Sequence, residues 1–373
     1  MPYYERGRHY RSAMRYLASG PTTPTTPAWP RPGAIFLRAI ALAACLTAAG
    51  ADAAPTLPRL PFARTSIWNR RVPRDASFAP VQDAIFGAPA AAPHSVGVDL
   101  VTLCSTSENA PLVPIERSQG WTYPLRAESS GQRLYERRLE PDACTDVGWN
   151  RIGNGLFVLF DPPSGTADLG VGGWRDPGGT LLNVAPDGPG AHGLDVRRGD
   201  GLRGYGRASS LPALGGLLRS GELTSSIRHA VAVILNPARF SSARHFVWPA
   251  TTADGLAAQL YRGPDVNYTI GTLLAIPRST RLRAYSWRTK QGLRLALAAQ
   301  RYGWYVVDSV PSDQIQFAIE NDAARRDLGL AIDPATGAIS VDPAKVDAVG
   351  LTADVVQTLT LVEAVASNAP ARR

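Results

Sequence analysis

Short apolar runs of strand length recur along the chain and limit the folds that it can adopt. Each run is rich in Val, Ile, Leu or aromatic residues and is bounded by Gly, Pro or Asp, a pattern that indicates strands of a β domain. Glycine and proline supply the breaks, with 35 and 31 residues among 373. The runs lie at 100–103, 120–125, 155–160, 181–184, 230–235, 246–248, 272–276, 303–308 and 314–319, and 66–69 is a further candidate near the start. We therefore expect a mainly β fold, a jelly-roll-like β-sandwich with a few short helices.

Three segments carry helical patterns between or after these runs. A short helix is expected over 211–220, and a longer one over 289–301, where good helix formers place Leu and Ala on one side. The segment 343–366 has apolar residues at roughly helical spacing and predicts a helical C-terminal segment. No linker after residue 75 is long enough to separate two domains, so we expect an extended, proline-rich lead-in at 54–75 and a single domain at 76–366.

Residues 1–53 have the features of a targeting segment. An apolar run at 39–50 follows arginines and ends at the small-x-small sequence Ala51-Asp52-Ala53, which is typical of a cleaved secretory signal. The run is too short to span a membrane. We expect an exported protein, periplasmic or secreted. The alternative is a lipoprotein sequence ending at Cys45, in which case lipid would hold the protein at a membrane.

The charge distribution argues against a nucleic-acid partner. The formal net charge is +8, but the basic residues cluster no further than pairs such as Arg70-Arg71, whereas nucleic-acid binders concentrate them on one face or in a run. Nearly all of the positive charge is arginine. Two interpretations of this bias remain. One is codon usage, and the other is a ligand that carries carboxylates, such as a uronic acid, because the guanidinium group binds a carboxylate with two parallel hydrogen bonds.

Cleavage after Ala53 leaves two cysteines, Cys104 and Cys144. In an exported chain they most simply form one disulfide. The alternative, a catalytic thiol, lacks both a CxxC motif and a nearby histidine.

The motifs of several enzyme classes are absent from the sequence. It contains no GxxxxGK[ST], HExxH, paired CxxC or GxSxG pattern, and no glycine-rich turn joins a strand to a helix as a dinucleotide fingerprint does. We therefore expect no cofactor and no metal. Candidate chemistry rests on carboxylates, imidazoles and phenols.

The first candidate constellation lies at 219–229. Glu222 is a candidate general acid or base, and His229, at the start of an apolar strand, is its candidate partner. Arg219 and Arg228 are candidates for binding a uronate carboxylate. In the alternative interpretation Glu222 caps a turn and His229 bonds a buried carbonyl.

The second group lies towards the C-terminus. Trp248 ends a strand-like run and is suited to stacking on a sugar, or else lies in the core. In the strand at 303–308, Trp304, Val306 and Asp308 are expected on one face, where Trp304 beside a carboxylate is a candidate for binding a sugar. Tyr302, just before the strand, is a candidate base. Glu320 ends the next strand, and a hairpin would bring it to Asp308, as a pair of glycosidase carboxyl groups requires. Alternatively, Asp308 only ends its strand.

Five of these segments together resemble a large, poorly characterised group of exported bacterial proteins. The matching segments are SIWNRRVP at 66–73, SLPALGGLLRSGELTSSIRHAV at 210–231, WPATTADG at 248–255, GTLLAIP at 271–277 and AQRYGWYVVD at 299–308 with Glu320 after it. The resemblance covers residues 66–320 and implies an exported, mostly β domain. It implies no particular activity.

Three functions remain as hypotheses. The first is a carbohydrate-active enzyme, a glycoside hydrolase using two of Glu222, Asp308 and Glu320, or a polysaccharide lyase using Tyr302 or His229 as base. The second is a non-catalytic glycan-binding module. The third is a structural envelope protein held by lipid at Cys45. A polysaccharide is the expected partner in the first two.

Overall fold

The computed structural model describes residues 58–366 except 89, 122–123, 149–152, 177–178, 184–190 and 334–338. The signal expected at 1–53 and the lipidation site at Cys45 lie outside the described residues, so both stay predictions. Pro55–Arg373 forms one unit. Within the described part of the chain, no helix has the length and apolar character needed to cross a lipid bilayer.

The fold is mainly β, as the spacing of apolar runs predicts. The strands described are β1 (Phe78–Ala79), β2 (Ser95–Ser105), β3 (Leu112–Ser118), β4 (Ser129–Arg138), β5 (Leu156–Asp161), β6 (Thr166–Gly170), β7 (Trp174–Arg175), β8 (Leu181–Asn183), β9 (Leu194–Asp195), β10 (Val231–Leu235), β11 (Leu273–Ala275), β12 (Trp304–Ser309), β13 (Gln314–Glu320), β14 (Ala331–Ile332), β15 (Ile339–Ser340) and β16 (Glu363–Val365). Ten of them form one sheet, in the order β1-β16-β11-β12-β10-β13-β2-β5-β6-β9.

The centre of this sheet is mixed. β10 pairs in parallel with β12, and β2 pairs in parallel with both β13 and β5, while β10 and β13 are antiparallel. Strands in such a position are covered on both faces and read as continuous apolar runs, which is what β10 and β5 show: all five residues of β10 are buried. A jelly roll consists of antiparallel strands, so the jelly-roll part of our expectation is not confirmed.

A second sheet, in the order β4-β3-β8-β7, packs on one end of the large sheet. The contact is apolar, with Phe157 and Leu159 of β5 against Ile115 and Leu181 of the small sheet. Within this contact a disulfide joins Cys104 and Cys144, whose Cα atoms are 5.5 Å apart, as predicted. A disulfide of this kind is typical of an oxidising compartment. A further pair, β14 and β15, forms a separate two-stranded sheet.

Short helices accompany the sheets. They are α1 (Gln82–Phe86), α2 (Ala257–Leu260), α3 (Lys290–Arg301), α4 (Asn321–Asp327) and α5 (Ala348–Leu361). The helix predicted over 289–301 is confirmed: the Thr289 hydroxyl accepts the Gly292 N–H at its start. The C-terminal segment is helical over α5 and then ends as a strand, β16.

Helices α3, α4 and α5 cover one face of the large sheet, and chain without regular structure covers the other. The second face receives Leu211, Leu214 and Leu217 together with Trp68. The Trp68 indole N–H donates to the Gly201 carbonyl at 2.9 Å, and its ring meets Tyr305 edge-on at 5.3 Å.

Two predicted elements on this second face are wrong. Residues 66–69 form turns rather than a strand, and 211–220 form turns rather than a helix. Gly215 and Gly216 explain the second case. A Cβ on Gly215 would lie 2.3 Å from the Trp68 ring, and Gly216 adopts φ +67°, a left-handed conformation that a helix does not contain. The segment instead packs in an irregular conformation between Trp68 and β10.

Two further strand predictions differ from the structure. The run at 120–125 contains no strand in its described residues, and the run at 246–248 is limited to one bridge at Phe246. Several strands lie outside the predicted runs, among them β3, β4 and β6.

Candidate functional site

The residues selected from the sequence separate to opposite ends of the central strands. His229 precedes β10 and Glu320 ends β13, which runs antiparallel to β10, so both lie at one end. Asp308 is near the end of β12, parallel to β10, and lies at the other. β10 has five residues, so the two ends are about 15 Å apart. β10 also lies between β12 and β13, so the expected convergence of Asp308 and Glu320 is wrong.

At the first end is a buried polar network, here called the Glu222 cluster: Arg219, Glu222, His229, Glu320 and Asp327. Oε2 of Glu222 accepts the Arg219 backbone N–H at 2.8 Å and faces Nε2 of His229 at 2.9 Å. The Arg219 guanidinium pairs with Glu320, whose other oxygen accepts the Ser220 N–H at 2.8 Å. Asp327 accepts the Gly221 N–H at 2.9 Å. The network fixes the turn at 219–222 to the ends of β13 and α4.

The electrostatics of this cluster favour a structural role. Burial by itself lowers the pKa of His229, but the hydrogen bond and charge of Glu222, with the Ala230 carbonyl, outweigh it and raise that pKa. Nδ1 of His229 lies 2.8 Å from the Ala230 carbonyl oxygen, so both ring nitrogens face acceptors and the imidazolium is favoured. An imidazolium held in this way is a poor general base. Glu222 and His229 are 1% and 4% exposed, and the turn that carries Glu222 is held in place by Glu320 and Asp327.

The remaining sequence candidates are dispersed. Trp304 is fully buried and packs edge-on against Phe317, so it belongs to the core and not to a binding face. Tyr302 and Trp248 are half-buried against the second core face. Arg228 is exposed, and its Nε donates to the Ser226 hydroxyl at 3.3 Å.

At the other end lies the Asp308 cluster: Asp99, Arg207, Asp254, Tyr261 and Asp308. Val233 pairs with Val306, but the next residue, Ile234, pairs with Asp308, so the register shifts at Val307. Such a bulge re-aims the side chains after it. Strict alternation along the strand predicts that Asp308 shares a face with Trp304 and Val306. Because of the bulge, it does not. It lies in register with Ile234, a residue of the second core face.

Hydrogen bonds hold the other members of the cluster in place. The single turn of α2 returns Tyr261 to Asp254, and the phenol O–H donates to Oδ2 of that carboxylate at 2.9 Å. Ser209 N–H donates to the Val307 carbonyl at 3.1 Å, which fixes the turn that carries Arg207. Arg207 pairs with Asp99 of β2.

Asp308 is the ionisable group best suited to proton transfer. Burial raises its pKa to about 7, assisted by the negative charges of Asp254 and Asp99 and opposed by Arg207 and the Ser309 N–H. Burial and the same Asp254 charge also raise the pKa of Tyr261, so that phenol stays protonated and keeps donating to Asp254. A carboxyl group that is half protonated near neutral pH, beside a second carboxylate, is the arrangement used for general acid/base catalysis.

Sequence reasoning identified Asp308 and missed its neighbours. Asp254 is in the WPATTADG segment but reads as an ordinary turn, and Tyr261 was not considered. The residues around Asp99 and Arg207 in the sequence give no sign of their role. Both come close to Asp308 only because the chain folds, through the position of β2 and of the turn that carries Arg207. Among the described residues, no group of three or more His, Cys, Asp or Glu side chains is arranged to hold a metal ion.

A groove lies apart from both clusters, between β3–β4 of the small sheet and β5–β6 of the large one. It has a volume of about 340 Å³ and is lined by Thr106, Leu112, Arg137, Asp161 and Asp168 among others. The Arg137 guanidinium spans its wall to Asp168, with Nε 2.7 Å from Oδ2.

Comparison with known proteins adds no assignment to this geometry. The chain matches no known protein family, no curated protein and no solved structure.

Proposed function

We propose that this protein is an exported carbohydrate-active enzyme that cleaves a polysaccharide by general acid/base chemistry at the Asp308 cluster. The observation that carries the proposal is that Asp254 lies close enough to Asp308, near the end of β12, for its negative charge to help raise the pKa of Asp308. Both side chains are only partly buried. The pKa of Asp308 is about 7, so this carboxyl group is about half protonated near neutral pH. The signal expected at 1–53 and the disulfide support export.

The two carboxyl groups take complementary parts in hydrolysis. Asp308 gives its proton to the glycosidic oxygen as the bond to the anomeric carbon breaks. Asp254 accepts a proton from the water whose oxygen bonds to that carbon. Tyr261 is a positioning residue, since its hydrogen bond fixes the Asp254 carboxylate. The Glu222 cluster then supports the fold and takes no part in the chemistry.

The test is an assay on neutral and acidic polysaccharides with two readouts. These are the appearance of new reducing ends and the ultraviolet absorbance of unsaturated uronic products. Reducing ends alone indicate a hydrolase, and both signals indicate a lyase. Asp308→Asn is expected to lower kcat by roughly 10²-fold or more. The matched control is Asp75→Asn, at an exposed carboxylate. Full turnover by Asp308→Asn would overturn the assignment.

The groove favours a second candidate function, a glycan-binding module. Its paired guanidinium and carboxylate groups and its hydroxyls offer hydrogen bonds to sugar hydroxyls above the apolar side chain of Leu112. Binding without any product, weakened by Arg137→Gln and unchanged in Asp308→Asn, would favour this function over catalysis.

A further inference from the structure

Arg207 holds a guanidinium that the protein only partly satisfies. Its side chain is 1% exposed, and Nη1 contacts Oδ2 of Asp99. The other oxygen of Asp99 accepts the Asn154 amide at 3.4 Å. Nε and Nη2 of Arg207 are buried, and among the described residues neither has a hydrogen-bond acceptor.

Buried donors without acceptors are costly, and more so on a charged group. The two unpaired nitrogens of Arg207 form one edge of the planar guanidinium. That edge carries two roughly parallel N–H bonds, which match the two oxygens of a carboxylate. It therefore offers a ready-made carboxylate site.

The position of Arg207 links this edge to the proposed chemistry. The guanidinium lies close enough to Asp308 for its charge to act on that carboxyl group. The turn that carries Arg207 is bonded to the bulge, through the Ser209 N–H and the Val307 carbonyl at 3.1 Å. A carboxylate held by Arg207 would thus lie beside the group that we propose as proton donor.

We infer that the substrate carries a carboxylate, as a uronate-bearing polysaccharide does, and that Arg207 binds it through Nε and Nη2. This inference rests on the proposed function, because it names the substrate of the same site. It also gives the arginine-rich composition one specific use.

Access to the edge requires a local movement. Arg207 is buried and begins a turn that the Ser210 N–H closes on the Arg207 carbonyl at 3.1 Å. The outer contacts of that turn are hydroxyl bonds, with Ser210 Oγ 2.6 Å from Thr252 Oγ1 and Thr252 Oγ1 2.7 Å from the Ala208 oxygen. Ser210 also has φ +59°, which is unfavourable for a residue other than glycine. Ser209 within the turn is buried and stays bonded to Val307, so only the outer contacts of Ala208 and Ser210 would give way to the substrate.

The experiment compares binding of charged and neutral forms of one glycan. Oligomers of polygalacturonate and alginate, and the same oligomers after carboxyl reduction, are titrated calorimetrically into the intact protein. We expect the uronate form to bind at least about tenfold more tightly. Arg207→Gln should abolish that preference, and Arg207→Lys, which keeps the charge but not the fork, should retain part of it. The control is Arg203→Gln, at an exposed arginine of the same segment, which should keep the full preference.

Removing Arg207 leaves Asp99 unpaired, so the double variant Asp99→Asn/Arg207→Gln provides a second test if the single variant fails to fold. Equal binding of charged and neutral glycans by the unmodified protein would overturn the inference, and so would an unchanged preference in Arg207→Gln. New reducing ends from a neutral polysaccharide would leave the proposed function standing in those cases. Conversely, an Arg207-dependent preference without any cleavage would support the inference and contradict the proposed catalysis.

Discussion

At the scale of single residues, the molecule places two carboxyl groups in different circumstances within one cluster. Asp254 is held by a phenol, whereas Asp308 accepts one backbone N–H and lies near the negative charges of Asp254 and Asp99 and the positive charge of Arg207. The sequence pointed to Asp308 because it ends an apolar strand beside aromatics. It did not point to Asp99 or Arg207, because their proximity depends on the order of strands in the sheet.

The charge of Asp254 contributes to the proton affinity of Asp308, and Asp254→Asn removes it. We expect the pKa of Asp308 to fall below about 7 in this variant. A titration of the carboxyl carbon resonances by NMR measures this directly, without need of a substrate. The Asp75→Asn variant serves as the control. An unchanged titration of Asp308 would mean that the two groups do not interact.

The raised pKa of Asp308 also predicts a cost in stability. Its folded pKa of about 7 lies above the ordinary value of 3.8, so the folded state binds more protons between these values and stability falls as pH rises through that range. Asp308→Asn should therefore raise the free energy of unfolding at pH 8, by on the order of 1 kcal/mol after allowance for solvent screening. Urea unfolding at pH 4 and pH 8 tests this. An equal effect at both values would contradict the charge as the cause.

At the scale of elements, apolar patterning predicted the buried strands and missed the exposed ones. β5, β10 and the first four residues of β12 read as continuous apolar runs because both of their faces are covered. β4 reads SSGQRLYERR, and none of its residues is buried, so no core-facing alternation marks it. The segment 211–220 has helical composition, but contact with Trp68 overrides that preference.

The Glu222 cluster fastens one such element, the turn before β10. The pKa of His229 is raised above 6.5, so its pairing with Glu222 stabilises the fold fully below about pH 6.5 and less as pH rises through the raised value. Glu222→Gln breaks a buried pair and should cost about 3–5 kcal/mol at pH 6. It should also flatten the decline of stability at higher pH.

Thermal unfolding from pH 6 to 9 measures both effects of Glu222→Gln. The matched control, His94→Gln, alters an exposed histidine and should reproduce the original pH dependence. Loss of turnover in Glu222→Gln without loss of stability would instead restore the catalytic interpretation of Glu222.

At the scale of the whole molecule, the disulfide joins parts that share little backbone pairing. Cys104 is in β2 of the large sheet, and Cys144 follows β4 of the small one. The double variant Cys104→Ala/Cys144→Ala should lower the free energy of unfolding by about 2–4 kcal/mol. Denaturant curves with and without reductant provide the measurement. Reductant should destabilise the original protein and leave the double variant unchanged.

The strand order also has a kinetic consequence. β2 lies between β5, which begins at Leu156, and β13, which is much later in the sequence and pairs its Gln314 with Ser95 of β2. During synthesis, the edge of β2 that pairs with β13 in the folded protein has no partner strand until β13 leaves the ribosome. Contacts so distant in sequence slow folding, and an unpaired edge invites association between chains. A nascent chain of this protein therefore passes most of its synthesis with its central sheet open, and its yield depends on what shields β2 in that interval.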